Sequence, residues 1–167
     1  MQVFNETYEE MVKNLFKPLP TIGEMAHHAT TGISGEVGEL SESETRTNTI
    51  EELGDLEFYL EALRTFVPAR LYSTAYTETP LVFLLPMMSI CASHMLDITK
   101  KHWIYGKELK LEELWTLVSK MTLLLEQLYD QLGTTRDEVR YLNQSKLMKR
   151  YPSGYTNEAA IARADKA

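Results

Sequence analysis

The sequence predicts an all-α protein. Apolar residues recur at helix spacing nearly throughout, the breaks fall at prolines and glycines, and the one segment of strand-like composition, residues 69 to 80, lies between helices. With 167 residues and 44% apolar content the chain is large enough for one core. We read residues 1–155 as a single helical domain and 156–167 as a loosely attached, partly helical tail.

The elements follow in order. Tyr8, Met11, Val12, Leu15 and Phe16 keep helix spacing until Pro18 and Pro20 end the segment. A second helix is predicted from Ile22 to Glu42. Its Gly32, Gly35 and Gly38 recur every third residue, leaving one side with little bulk, and each costs about 1 kcal/mol relative to Ala unless another helix or a ligand packs closely there. The polar run SESETRTNT leads to a third helix from Thr49 to Phe66, ended near Pro68. Residues 69 to 80 read as a connecting loop. A fourth helix follows Pro86 and reaches Lys101, and KHWIYGKELK reads as a loop with Gly106 at its turn. A fifth, Leu111 to Leu132, carries the apolar stripe Leu114, Trp115, Val118, Met121, Leu125 and Leu128, and Gly133 closes it. Thr135 with Glu138 forms a capping box for a sixth helix that runs to Arg150 and stops before Pro152.

Charge and composition exclude several classes. A net charge of −7 and a pI near 5.2 lack the basic field that nucleic-acid binders use. The single cysteine, Cys91, excludes an internal disulfide and a Cys-based zinc site, which fits a reducing cytoplasm. The start, MQVFNETYEEMVKNLF, has acids where a signal peptide is basic. The run LVFLLPMMSICASHML, Leu81 to Leu96, is interrupted by Pro86, Ser89, Ser93 and His94 and falls short of the roughly 18 residues of a membrane span. It reads as a helix buried on more than one side, inside the domain or against a second subunit.

Two acidic pairs stand out, Glu36 with Glu39 in GEVGEL and Glu52 with Asp55 in EELGDL. At about 100° per residue, an i, i+3 spacing puts both carboxylates of a pair on one helix face. Leu40, Leu56 and Tyr59 flank them, so the acids border the faces expected to turn inward. Four carboxylates facing one another repel unless a hard dication neutralises them. The alternative is that they are ordinary solvated acids, as we read Glu42, Glu44, Glu51 and Glu57. Neither Gly-x-Ser-x-Gly nor a phosphate-binding glycine motif is present.

GISGEVGEL followed by EELGDLEFYLEAL resembles the MazG-like all-α nucleotide pyrophosphohydrolases, whose mark is ExxE, a spacer and ExxD. The likeness covers residues 8 to 64 well and continues in NQSKLMKRYPSGYT, residues 143–156, within a moderate match over 140 to 165. The polar and acidic SESETRTN, with Arg46 its one basic residue, departs from the basic residues that family members often carry there. The resemblance implies a helical bundle assembled as a homodimer or homotetramer. It also implies Mg²⁺, replaceable by Mn²⁺, on Glu36, Glu39, Glu52 and Asp55, with Glu39 as the base. The implied reaction is water attack at the α-phosphorus of a nucleoside triphosphate, foremost a deoxynucleotide, releasing pyrophosphate. A nucleotide alarmone or phosphoribosyl-ATP is a same-class alternative, and a non-enzymatic helical assembly module is another.

An acidic protein meets a polyphosphate only through bridging cations and placed basic groups. Asn143, Lys146 and Arg150 share one face of the sixth helix and would grip the triphosphate. Lys100 and Lys101 either join them or simply cap a helix end. His28, at the helical angle of Glu39, would touch base or sugar or else pack, and Trp103 and Tyr105 would stack on a base or pack.

Overall fold

The computed structural model describes residues 4–67 and 78–163, and every described element is helical. Residues 69–77 of the expected connecting loop lie outside the described residues, while 78–80 are non-helical.

Local signals set most boundaries. Helix α1 (Tyr8–Leu15) opens on Thr7, whose hydroxyl accepts from the Glu10 N–H while the Glu10 carboxylate accepts from the Thr7 N–H, a full capping box. Helix α2 (Ile22–Glu42) opens on the same device, Thr21 with Glu24. Helix α3 (Arg46–Phe66) begins before the expected Thr49 because Thr45 caps it through the Asn48 N–H, so the polar run is mostly helix. Helices α5 (Leu111–Leu132) and α6 (Arg136–Arg150) have the expected bounds, and Gly133 ends α5 in the left-handed region at φ 61°. At α6 the box is half formed: Thr135 caps the Glu138 N–H, but the Glu138 carboxylate accepts from the Thr134 hydroxyl. A short helix α7 (Asn157–Ala162) lies in the tail.

Helix α4 (Leu81–Tyr105) departs furthest from expectation. It starts ahead of Pro86 and absorbs His102 to Tyr105, with Gly106 at φ 63° closing it. Proline is tolerated because the carbonyl it leaves unbonded is that of Val82, which is exposed to water. The helix is long and apolar enough to cross a membrane by length and composition alone, which corrects the expectation of a run too short to do so. Leu84, Met88, Cys91, Ala92, Met95 and Thr99 form one buried stripe on it. Its outward face carries exposed Val82, Phe83, Pro86 and Ile90, so within the chain α4 is buried on one side rather than several.

Helices α2 and α3 form a hairpin, α4 packs on α2, α5 packs on α4, and α5 returns to α3 through the Tyr129–Glu57 and Arg64–Thr122 hydrogen bonds. This closes a four-helix bundle around Ile33, Leu53, Leu56, Leu60, Met88, Met95, Leu114 and Met121, each fully buried and worth roughly 2 kcal/mol in burial. Helix α6 packs on α3, α1 covers both, and α7 touches α6. At Gly32 the hairpin closes tightest, since a methyl there would overlap the Tyr59 ring. Gly35 and Gly38 have nothing within 4 Å of a built Cβ, so the expected close-packed glycine side is restricted to Gly32.

Glu57 corrects the reading of solvated acids. It is fully buried, accepts hydrogen bonds from Arg136 at 3.0 Å, Arg140 at 3.0 Å and the Tyr129 hydroxyl at 2.9 Å, and has Arg64 at 3.9 Å. Burial alone would raise its pKa. The guanidiniums of Arg136 and Arg140 outweigh burial and hold it below the usual carboxylate range.

Candidate functional site

The i, i+3 pairs of α2 and α3 meet across the hairpin. One carboxylate oxygen each of Glu36, Glu39 and Glu52 lies within 4.8 Å of the others. Glu36 is half-buried and its pKa is pushed up to about 8, first by burial and then by the charges of Asp55, Glu39 and Glu52. Glu52 is raised for the same reasons, burial first and then Asp55 and Glu39. Glu39 is exposed. An all-oxygen set under this mutual repulsion has the donor chemistry that suits a hard divalent cation.

Asp55, expected to join them as a fourth ligand, is turned toward α6. Its two oxygens accept from the Lys146 ammonium at 2.6 and 2.5 Å, and one also accepts from the Asn143 amide at 2.8 Å. Lys146 also reaches Glu51 at 3.5 Å. Asn143 is buried rather than facing a ligand, and its carbonyl oxygen accepts from the Tyr8 hydroxyl at 2.9 Å. The relay Tyr8–Asn143–Asp55 therefore fixes the carboxylate from behind. It needs α3 and α6 close together, which Gly54 permits: a Cβ there would lie 2.8 Å from that of Asn143.

The acids line one side of a cleft of about 490 Å³. Phe16, His28, Phe58, Tyr59, Tyr151 and Tyr155 supply an aromatic wall, and Lys17, Arg150 and Arg163 supply positive charge. His28 stacks on Phe16 at 4.5 Å between ring centroids, with its Nδ1 buried and without a hydrogen-bond partner. Burial, then the charge of Lys17, lowers its pKa, so the ring is neutral at pH 7. Burial, then Glu36 and Asp55, pushes Tyr59 up to about 12.

Of the residues singled out in the sequence, Glu36, Glu39, Glu52, Asp55, His28 and Arg150 line this cleft. Lys146 and Asn143 stand against it through Asp55. Lys100 and Lys101 do not line it: both pair with Asp97 on α4, at 2.9 and 2.5 Å, as cations near a helix end. Trp103 leans on His27 at 4.8 Å, and Tyr105 is exposed elsewhere. Sequence reasoning missed Phe16, Lys17, Glu51, Tyr151, Tyr155 and Arg163 as cleft residues. Only the aromatic pair in RYPSGY offered a signal, through its place in the resembling segment.

Compared with protein-family models, curated proteins and solved structures, the chain has no match.

The crowded acids set a pH dependence. A carboxyl raised from 4.5 to about 8 on folding keeps its proton across that window while the unfolded chain gives it up. Its contribution to stability is full below the unfolded value and is lost as pH rises through the folded one, by at most about 1.4 kcal/mol per pH unit for one proton. Urea unfolding of metal-free wild type and Glu36→Gln from pH 5 to 8 should show the wild type losing stability relative to the variant as pH rises. A constant difference would contradict the crowding.

Proposed function

We propose that this chain is a Mg²⁺-dependent nucleoside triphosphate pyrophosphohydrolase of the MazG-like kind, releasing pyrophosphate and a nucleoside monophosphate. The observation that carries this is the meeting of Glu36, Glu39 and Glu52 from two successive helices at one cleft, opposite an aromatic wall and beside cations. Glu36, Glu39 and Glu52 would hold the ion, and Mn²⁺ would serve in its place. When bound, the ion neutralises phosphate charge and makes water more acidic. Asp55, already neutralised by Lys146, serves as an anchored wall of the site rather than as an equal fourth ligand.

The residues divide the remaining work. Glu39, the exposed member of the three, takes a proton from the water that attacks the α-phosphorus. A new P–O bond forms, the bond to the bridging oxygen breaks, and its electron pair leaves with pyrophosphate. The rings of Phe16, Tyr59, Tyr151 and Tyr155 with neutral His28 offer stacking for a base, and Arg150 supplies a forked contact for phosphate oxygens. Homodimer or homotetramer assembly belongs to the same reading, with the outward apolar residues of α4 as a surface for it; light scattering above the 19.2 kDa of one chain would agree.

The test is a panel of ordinary, modified and deoxy nucleoside triphosphates, incubated with purified protein and Mg²⁺ and read by pyrophosphate release. Release that stops on chelation and returns with Mg²⁺ or Mn²⁺ is expected. No release from any member, together with no Mg²⁺-dependent shift in Tm, would leave a non-enzymatic helical module.

A further inference from the structure

The cleft contains a second set of charges that the acids do not consume. Lys146 is committed to Asp55 and Glu51, and Lys100 and Lys101 to Asp97. Lys17 and Arg163 also line the cleft, both are exposed, and neither forms an ion pair among the described residues. They come from opposite ends of the chain. Lys17 directly follows Phe16, whose ring forms part of the wall, and its charge is felt by His28. Arg163 ends α7 and is the one non-glycine among the described residues at positive φ, 47°.

The segment that carries Arg163 has no evident packing purpose. Helix α7 buries no residue, Ile161 is 84% exposed, and α7 touches α6 alone among the helices in appreciable contact. Yet Ala160 and Arg163 from this segment, with Tyr151 and Tyr155 leading into it, all border the cleft. Tyr151 and Tyr155 stack obliquely with centroids 5.6 Å apart, which fixes the entry of the segment onto the site.

We propose that Lys17 and Arg163 bind the phosphate chain of an anionic ligand in this cleft, and that residues 152–163 are a strap which such a ligand ties down. The ligand class is a polyphosphate, because two cations without an ion pair among the described residues line a cleft that also holds excess carboxylate. A simple carboxylate or sugar would gain little from them, whereas a Mg²⁺-complexed polyphosphate meets the acids through its ion and the cations through its free oxygens. Arginine gives a forked contact to two oxygens and lysine a point charge, so the two divide the chain without competing. The identification of the ligand as a nucleotide rests on the function proposed above; the phosphate contacts do not.

The experiment uses the full chain and inorganic tripolyphosphate with Mg²⁺, titrated calorimetrically. Lys17→Ala and Arg163→Ala should each weaken binding about tenfold, the pair should weaken it more, and Lys17→Arg should restore most of it. Titration with Mn²⁺ alone should change less than twofold, since no carboxylate is altered. Tripolyphosphate should also slow proteolytic cleavage within 152–163 in wild type and fail to do so in Arg163→Ala. Wild-type affinity in both alanine variants, or a wild type that does not bind tripolyphosphate, overturns the inference. If pyrophosphate release proceeds while the variants bind normally, the inference alone fails. If no nucleotide is hydrolysed yet the variants lose tripolyphosphate, the pyrophosphohydrolase reading alone fails.

Discussion

Glu57→Ala is expected to cost the fold about 3–5 kcal/mol, because it leaves Arg136, Arg140 and Arg64 without the buried carboxylate they surround. Tyr129, whose hydroxyl donates to Glu57 and is buried with it, loses its acceptor as well. Against a total of roughly 5–15 kcal/mol for a domain, this would leave much of the variant unfolded at 37 °C. Glu57→Gln keeps the volume and one acceptor oxygen and loses the charge, so it should fall between alanine and wild type. Urea midpoints by circular dichroism measure the series. A change within about 0.5 kcal/mol for alanine would return Glu57 to the solvated acids among which its sequence placed it.

Why that acid was misread shows where sequence reasoning stops. The helix bounds of α2, α5 and α6 were legible because capping threonines, C-terminal glycines and apolar periodicity are local signals. The meeting of Glu36, Glu39 and Glu52 was legible for a related reason: two i, i+3 pairs flank a short link, so any hairpin brings them near each other. Glu57 lies about 200° around α3 from Asp55, on the stripe shared with Glu61 and Arg64. Its partners Arg136 and Arg140 come from α6, 79 and 83 residues on, and no periodicity reports that distance. Lys146 failed similarly. Helical arithmetic put it on one face with Asn143, but only the α3–α6 contact shows that this face meets Asp55 instead of open cleft. Arg163 and Lys17 were illegible because neither belongs to a periodic element; they reach the cleft through chain ends.

On the proposed function, Glu52→Gln is expected to lower pyrophosphate release by about two orders of magnitude or more, equivalent to roughly 2.7 kcal/mol of transition-state stabilisation, because one of the three carboxylates proposed to hold the ion is lost. Glu39→Gln should fall at least as far, since it removes both a proposed ion contact and the proposed acceptor of the water's proton. The two kinds of acid in the site then separate by stability. Burial, and after it the charges of Asp55 and Glu39, disfavour ionised Glu52, so without metal Glu52→Gln should be as stable as wild type or more so. Asp55→Asn should instead lose about 1–3 kcal/mol, because the partly buried Lys146 ammonium would lose its two short charged contacts and keep only the Glu51 carboxylate at 3.5 Å. Tm with and without Mg²⁺ distinguishes these outcomes directly. Wild-type turnover in Glu39→Gln and Glu52→Gln would remove the ion site, and an unchanged Tm in Asp55→Asn would show that the Lys146 pair contributes nothing to holding α6 on α3.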